Sequence, residues 1–378
     1  MDQGTIQILF ALLRSGLSGA KEALAQTVAP EQLQEIMQLA KRHNLTHLAA
    51  LGADRNAETT KKIMLTTAYR QEQQKAALDQ ICDQLEKAKI PFLPLKGAVI
   101  RSLYPEPWMR TSCDIDILVH RQDLDRVGQC LRQTLQYTEN GRGTHDISYL
   151  TPNGVYVEMH FDLVEEGRAN QAAFILQDVW NHAALRSGSE YWYEMSDPYF
   201  YFYHIAHMAK HFETGGCGIR PFMDLWFLDQ TAIERYVNRE ALLAQGNLLP
   251  FANAARKLSR VWFGGEEHDA LSAKMEDFVL RGGAFGTTGN RVALQQKRRG
   301  GRLGYFLSRV FLPYSRLKRY FPILEKHWYL APVMQVRRWL WLLKPDMAKR
   351  AKHELNANTR MADQKAAQMQ EFLDQLGL

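Results

Sequence analysis

The chain has 378 residues, and its 46% hydrophobic and 23% charged residues are typical of a folded protein. These values exclude a disordered chain, a collagen and a coiled-coil rod, and the length allows two or three domains. Every stretch of about 18 residues contains charged or polar positions, so we expect no transmembrane helix. The N-terminus lacks the basic start of a secretory signal, which predicts a cytoplasmic protein. The four cysteines are scattered and form no CxxC motif, so neither a disulfide framework nor a cysteine zinc site is expected.

The net charge of +6 is distributed unevenly along the chain. Residues 297–352 carry fifteen Lys and Arg against two acids, a net charge of +13, which leaves −7 for the remainder. Aromatic residues are interleaved with these basic residues. Three interpretations remain open: a nucleic-acid surface, a peripheral membrane contact, or a helical region whose aromatic residues form its core. Residues 333–343 (VMQVRRWLWLL) partly fit a membrane-surface helix with a basic face and Trp and Leu opposite, while the helical region with core aromatic residues is the favoured interpretation of the whole segment.

Helical periodicity dominates the first 88 residues, where apolar side chains recur at spacings of three and four. Residues 58–89 contain no Gly or Pro, which predicts one long helix. Over residues 89–195 the pattern changes to strands mixed with helices. The predicted elements there are strands at 91–95 and 114–119, helices at 98–104 and 121–134, and a hairpin of 146–150 and 155–163 around an Asn-Gly turn.

Helical patterns return at residue 197 and continue to about residue 279, with a glycine cluster at 215–218 as an interruption. A second glycine-rich stretch at 282–289 predicts a loop, and residues 345–378 have the pattern of a polar helix. The predicted regions are an N-terminal helical region at 1–88, an α+β core at 89–195, a helical domain completing a cleft at 196–296, and a basic, aromatic-rich helical region at 297–378.

Two acidic residues occupy alternate positions of the strand Asp114–Val119. Because strand side chains alternate between faces, Asp114 and Asp116 project from the same face of the sheet. Glu158 lies in a second strand whose polar residues also share one face, so it is a candidate third carboxylate. Neighbouring carboxylates repel one another unless a cation lies between them, and Mg²⁺ prefers such oxygen ligands together with phosphate oxygens. The pattern therefore indicates a metal site, although a strand end with solvated acids is the alternative.

A strand-to-helix turn at Lys96-Gly97 precedes this pattern. Backbone amides in such a turn and a lysine side chain are suited to bind phosphate. Arg101 and Arg110 follow shortly after and are further candidates to meet a triphosphate. A KG pair by itself is a weak signal, and it gains weight only from the acidic strand that follows.

Taken in order, these motifs resemble a bacterial nucleotidyltransferase family within the DNA polymerase β-type superfamily. The matching segments are Leu95-Lys96-Gly97, Tyr104-Pro105, Arg110, Asp114–Val119 (DIDILV), Val157–His160 (VEMH), His204–Asp224, Arg316–Pro322 and Leu330–Pro332. The resemblance covers residues 90–340, and the ordered set is far more specific than any single motif.

The resemblance implies an α+β fold: a polymerase β-type core, with a small mixed sheet and helices, embedded in mostly helical N- and C-terminal regions. It implies an enzyme that moves a nucleoside monophosphate from an NTP to a hydroxyl of an unknown, non-nucleic-acid acceptor, with Mg²⁺ or Mn²⁺ as cofactor. On this resemblance, Asp114, Asp116 and Glu158 bind the metal and perform catalysis. Lys96-Gly97 stands where the superfamily usually has Gly-Ser, so a non-catalytic nucleotide- or partner-binding protein on the same fold is the alternative.

The helical segment after residue 197 adds candidates for the opposite wall of a cleft. His204, His207 and His211 share one helix face, which allows a metal set, a packed set of histidines or a cleft lining. Lys210 and Arg220 flank the glycine cluster and are candidate phosphate-binding residues. Further candidate cleft residues are His160, His207, His211 and Asp224. Asp224 has a simpler alternative role as the ion-pair partner of Arg220 or Lys210.

Overall fold

The computed structural model describes residues 2–20, 28–165, 170–230, 236–284, 286–298, 301–342 and 363–378. The chain separates into two compact units. The first contains residues 1–208 and 219–273, and the second contains residues 209–218 and 274–378. The division into four regions made above from the sequence stays a prediction. Within the described ranges, no helix is long and apolar enough to cross a membrane.

A five-stranded mixed sheet lies at the centre of the first unit. Its strands are β1 (Phe92–Pro94), β2 (Asp114–Val119), β3 (Thr138–Arg142), β4 (Asp146–Leu150) and β5 (Tyr156–His160). The spatial order is β1-β2-β5-β4-β3, and β2 and β5 are parallel while the other pairs are antiparallel. Together with the many helices around it, this sheet confirms the predicted α+β class.

Helices of the first unit surround the sheet. They are α1 (Gln3–Ser18), α2 (Pro30–Arg42), α3 (Thr46–Ala53), α4 (Glu58–Lys87), α5 (Lys96–Ile100), α6 (Leu124–Gln129), α7 (Gln171–Gln177), α8 (Asp197–Glu213), α9 (Arg220–Asp229), α10 (Tyr236–Gln245) and α11 (Leu249–Gly264). The last turn of α8 belongs to the second unit.

One face of the sheet is apolar and forms the core with α4. Ile115, Ile117 and Val119 of β2 are buried there, in one cluster with Ile81 and Leu85 of α4. Burial of such side chains stabilises the module by about 1.5–3 kcal/mol for each large aliphatic residue. Since strand residues alternate, this packing leaves the even-numbered residues of β2 and β5 on the opposite face. The functional candidates therefore lie on the face that the core does not use.

The second unit is helical in its described part. Its helices are α12 (Ala270–Gly282), α13 (Thr288–Arg298), α14 (Gly301–Val310), α15 (Tyr314–Tyr320), α16 (Ala331–Leu342) and α17 (Asp363–Gln375). Most of α12 and all of the later helices lie in this unit. Of the polar helix predicted at 345–378, the part before residue 363 lies outside the described residues.

Several element predictions differ from the structure. The strand β3 was not predicted because its sequence, TENGR, is polar, and it forms an edge whose side chains are mostly exposed. A two-stranded sheet of β6 (Ala183–Leu185) and β7 (Tyr193–Met195) was also not predicted. The helix predicted at 98–104 begins at Lys96 and becomes a 3-10 turn at Arg101–Leu103. The predicted glycine loop ends earlier than residue 289, because α13 begins at Thr288.

Candidate metal and phosphate site

Two carboxylates and an imidazole meet on the polar face of the sheet. The parallel pairing of β2 and β5 places Asp116 directly opposite Glu158. His160 follows two residues later on β5, so it shares the face of Glu158. Its Nε2 lies 3.2 Å from Oδ1 of Asp116 and 3.4 Å from Oε2 of Glu158. One ligand atom from each of these three residues lies within 4.8 Å of the others.

This arrangement fits a divalent cation. Carboxylate oxygens and an imidazole nitrogen bind divalent metals at about 2.0–2.2 Å, so ligand atoms of a single ion lie within about twice that distance of one another. The two distances from His160, 3.2 Å and 3.4 Å, meet that spacing, and all three ligand atoms lie within 4.8 Å of one another. Two oxygens are consistent with Mg²⁺ or Mn²⁺, and the imidazole is a better ligand for Mn²⁺ than for Mg²⁺.

His160 supplies a positive charge between the two carboxylates. Burial alone would lower its pKa, but the hydrogen bonds and charges of Asp116 and Glu158 outweigh burial and raise it to about 9. For Asp116, burial alone would raise the pKa. The hydrogen bond and charge of His160, followed by the charges of Lys96 and Arg110, hold the pKa of Asp116 below its usual value. Without a metal ion, Asp116 and His160 therefore form an ion pair at neutral pH.

Asp114 behaves differently from Asp116, although it lies two residues away on the same face. Burial and the negative charges of Asp116 and Glu158 raise the pKa of Asp114 to about 6, against the opposing effect of Lys96 and Arg220. The group of three ligand atoms described above does not include Asp114. Its role as a metal ligand stays a prediction, and its raised pKa shows that burial and the neighbouring acids outweigh the charges of Lys96 and Arg220.

Lys96 lies beside the acidic cluster because a backbone hydrogen bond joins the residue before it to β2. The N–H of Leu95 donates to the carbonyl oxygen of Asp116 at 2.9 Å, immediately before Lys96 begins α5. Nζ of Lys96 donates to Nε2 of His207 on α8 at 2.6 Å. The Lys96 charge lowers the pKa of Asp114 and of Asp116. The part of α8 around His207, which belongs to the first unit, thus lies near the polar face of the sheet.

Arg110 is engaged by Asp224. Its Nε donates to Oδ1 of Asp224 at 3.1 Å and its Nη2 donates to Oδ2 at 2.9 Å, and both side chains are buried. The hydroxyl of Tyr104 donates to the same carboxylate at 2.7 Å. Asp224 therefore pairs with Arg110, rather than with Arg220 or Lys210 as the sequence suggested. Gly97 lies next to this pair, since a Cβ atom there would lie 3.5 Å from Nη1 of Arg110.

Arg220 begins α9 near the same cluster. Its Nη1 donates to the carbonyl oxygen of Thr111 at 2.6 Å. Burial and the nearby charge of Arg110 lower the pKa of Arg220. The charge of Arg220 in turn opposes the rise in the pKa of Asp114. Arg220 thus acts electrostatically on the acidic face, within the first unit.

Arg101 is a buried guanidinium with only neutral hydrogen-bond partners. Its Nη2 donates to Oγ of Ser112 at 2.9 Å and to Oε1 of Gln74 at 3.4 Å, and its buried Nε has no partner. Burial, together with the charges of Arg110 and Arg220, lowers its pKa to about 10. A buried cation without an anion is unfavourable. Its position in the sequence gave no sign of this burial.

The histidines of α8 have separate environments. Nε2 of His204 donates to the carbonyl oxygen of Pro221 at 3.0 Å, which makes it a packed, buried histidine. His207 faces Lys96, as described above. His211 and Lys210 lie in the second unit, and their predicted roles in a cleft stay predictions. Among the described residues, the three-ligand group is the one on the sheet, and it contains no histidine of α8.

The fold and this site define the class of protein. A small mixed sheet among helices, with carboxylates on adjacent parallel strands and basic residues beside them, is the arrangement expected of a nucleotidyltransferase. The chain belongs to the family described as "uncharacterised nucleotidyltransferase", whose model matches residues 29–264. This confirms membership of a nucleotidyltransferase family and indicates a general nucleotidyl-transfer function. The bacterial origin and the motifs at 316–322 and 330–332, which lie outside the match, stay predictions. No curated protein and no solved structure matches the chain.

Proposed function

We propose that the protein is a metal-dependent enzyme that transfers a nucleoside monophosphate from an NTP to a hydroxyl group of an acceptor. The observation that carries this proposal is the convergence of Asp116, Glu158 and His160 within 4.8 Å of one another, beside Lys96. Mg²⁺ or Mn²⁺ is the proposed cofactor. A cation there would supply charge neutralisation for the phosphates and fix their orientation.

The residues around the site would divide the work. Asp116 and Glu158 would hold the cation, and Asp114 would be a further ligand if a second cation binds. Glu158 either completes the metal site or accepts the hydroxyl proton. Lys96 and Arg220 neutralise the phosphate chain, which is electrostatic stabilisation rather than covalent chemistry.

The proposed reaction is an in-line displacement. The acceptor oxygen forms a bond to the α-phosphorus, and the bond from that phosphorus to the oxygen bridging to the β-phosphate breaks. Pyrophosphate leaves with that bridging oxygen, and the hydroxyl proton passes to a carboxylate. The acceptor is proposed to be other than nucleic acid, in a cytoplasmic setting.

Arg110 has a different role in this proposal from the phosphate contact that its motif suggests. Because Asp224 binds the Nε and Nη2 edge of its guanidinium, the main proposed role of Arg110 is to position the Gly97 turn, which its Nη1 approaches. Arg101, whose printed hydrogen bonds go only to neutral groups, stays a candidate to meet phosphate beside Lys96 and Arg220.

The test is a panel of the four NTPs with Mg²⁺ or Mn²⁺, read by thermal shift and by release of pyrophosphate. We expect one or more NTPs to raise the melting temperature only when the metal is present. Glu158→Gln is expected to remove pyrophosphate release. The matched control is Asp125→Asn, which neutralises an exposed acid of α6 in the same unit.

The alternative is a nucleotide- or partner-binding protein without catalysis. It is favoured by the Lys-Gly turn in place of Gly-Ser, and it predicts NTP-dependent stabilisation with no pyrophosphate release under any acceptor mixture. A chain that neither binds an NTP nor responds to metal would contradict both functions.

A further inference from the structure

The helix α14 carries an apolar stripe on its outer side. Leu303, Phe306, Leu307 and Phe311 follow one another at helical spacing, and they are 70%, 40%, 45% and 55% exposed. The last of these directly follows the final residue of the helix and continues its hydrogen-bond pattern, since its N–H donates to the carbonyl oxygen of Leu307. In a helix of a globular protein, such a stripe normally faces the core.

Apolar side chains of the helix α16 also lie on its solvent side. Its outer residues Val333, Val336, Leu340 and Trp341 are 58%, 49%, 63% and 37% exposed. Val333, Val336 and Leu340 are separated by three and four residues, so they share one face of the helix, and Trp341 lies at the edge of that face. The inner face carries Met334, which packs against Leu317 and Leu324, together with the polar side chains Gln335 and Arg338.

Hydrogen bonds hold α16 in the orientation that leaves this apolar face in contact with solvent. On the buried side of α16, Nη1 of Arg338 donates to the carbonyl oxygen of Val310 at 3.1 Å, and its Nη2 donates to that of Arg309 at 2.9 Å. Nε1 of Trp339 also donates to the carbonyl oxygen of Val310, at 2.8 Å, and Gln335 donates to it as well. These bonds satisfy the free carbonyl groups at the end of α14. Rotating α16 to bury its apolar face would break all of them.

Further exposed aromatic side chains extend the surface between the two helices. They are Tyr314 and Tyr320 of α15 and the following Trp328 and Tyr329, which are 41%, 56%, 72% and 60% exposed. Trp and Tyr are favoured at the boundary between water and lipid, because each has an apolar ring and a polar edge. Large exposed apolar patches mark interaction sites.

The charge of the same segment selects the kind of partner. Residues 301–342 contain eight Lys and Arg and a single acid, Glu325. Arg337 and Lys326 are exposed beside the apolar stripes. A second copy of the chain would bring two such positive surfaces together. Nucleic acid would use the basic and aromatic residues, but it would leave the aliphatic side chains Leu303, Val333 and Leu340 without a role.

We propose that residues 301–342 form a surface that binds an anionic lipid membrane peripherally. The outer residues of α14 and α16 enter the boundary between headgroups and acyl chains, and the basic residues bind anionic headgroups. This inference concerns the second unit alone and does not depend on nucleotidyl transfer. It would place the protein at a membrane surface.

The experiment uses the full chain, without nucleotide, in a vesicle flotation assay. Vesicles of phosphatidylcholine with about a third phosphatidylserine are compared with vesicles of phosphatidylcholine alone. We expect binding to the anionic vesicles, weaker binding at high salt, and little binding to the neutral ones. Val336→Gln with Leu340→Gln is expected to weaken binding at least about tenfold, since each side chain loses its transfer into lipid.

The matched control is Leu65→Gln on α4, because Leu65 is also an exposed leucine, at 72%, but lies in the first unit. Its vesicle binding should equal that of the unaltered chain. The double variant changes exposed positions only, and an unchanged melting temperature would verify its fold.

Two results would overturn the inference. The first is no binding to anionic vesicles, and the second is equal binding by the double variant and the unaltered chain. If vesicle binding is absent, a concentration-dependent dimer in analytical ultracentrifugation, or tight binding of single-stranded RNA, that the double variant loses would assign the surface to that partner instead.

Discussion

Arg110 and Asp224 are 114 residues apart in the chain and form a buried ion pair joined by two hydrogen bonds. Arg110 lies four residues before the first residue of the acidic strand β2, and Asp224 lies on α9. The pair therefore ties the α9 helix to the approach of the site strand. Tyr104 completes the arrangement by donating to the same carboxylate.

Loss of one partner of this pair is expected to be costly. Asp224→Asn should lower the free energy of unfolding by about 3–5 kcal/mol, because Arg110 would remain buried without its anion. Urea denaturation measures this directly. Replacing both residues, with Arg110→Met and Asp224→Leu, should recover much of the loss. A single variant as stable as the unaltered chain would contradict the buried pair.

The same pair gives a pH dependence of stability. Burial alone would raise the pKa of Asp224, but the charge and hydrogen bonds of Arg110 hold it below 3.8. A carboxylate with a lowered pKa stabilises the folded state above its unfolded pKa, and this contribution is lost as the pH falls through the folded pKa. The stability difference between the unaltered chain and Asp224→Asn should therefore be constant above about pH 5 and shrink below about pH 4.

The two aspartates of β2 are expected to respond in opposite directions to replacement. Asp114→Asn should stabilise the metal-free protein at pH 7, by about 1–2 kcal/mol, because the raised pKa of Asp114 shows that its charge is unfavourable there. The gain should be present above about pH 6 and disappear as the pH falls below 3.8, since the carboxyl is then neutral in both the folded and the unfolded state. Thermal unfolding with a chelator present measures it, and Asp125→Asn is the control.

Asp116→Asn should instead destabilise the metal-free protein, by about 1.5–3 kcal/mol near pH 6, because it removes the anionic partner of His160. The pKa of His160 is raised to about 9, so this stabilisation is complete below about pH 6.5 and is lost as the pH rises through 9. An NMR titration should show the His160 pKa falling in the variant. Equal effects of the two asparagine variants would contradict the assignment of distinct environments. Asp116→Asn is also expected to abolish metal-dependent NTP binding.

Arg101 provides a contrast with Arg110. Arg101→Met should leave the free energy of unfolding unchanged or higher in phosphate-free buffer, because the buried guanidinium has no acidic partner to lose. Arg110→Met should lower it by about 3–5 kcal/mol. If Arg101 meets a phosphate group, added pyrophosphate should raise the melting temperature of the unaltered chain and have less effect on Arg101→Met. A large loss of stability in Arg101→Met would point to a structural role instead.

Arg220→Ala separates a phosphate contact from a structural one. The variant should weaken NTP affinity by about 1.5–3 kcal/mol if Arg220 makes a charge-assisted contact with the phosphates. A structural role would lower stability and leave affinity unchanged, because Arg220 also donates to the carbonyl oxygen of Thr111. Affinity by isothermal titration and stability by urea denaturation, measured on the same variant, distinguish the two.

The sequence by itself determined the local elements and which side chains share a face. The strand Asp114–Val119, the hairpin around Asn153-Gly154 and the long helix α4 follow from periodicity and turn chemistry, which act between near neighbours in the chain. The ordered motifs also identified the family. The alternation in Val157–His160 predicts that Glu158 and His160 share a face. The sequence alone, however, indicates His160 as a cleft residue and not as a metal ligand.

Only the tertiary structure decided which of these faces meet. The parallel register that sets Asp116 opposite Glu158, and the partner of Asp224, depend on contacts between segments far apart in the chain. The outward orientation of the apolar stripes in α14 and α16 was decided in the same way. Periodicity shows that a helix has an apolar face, whereas the hydrogen bonds of Arg338 to the end of α14 determine that this face remains in contact with solvent.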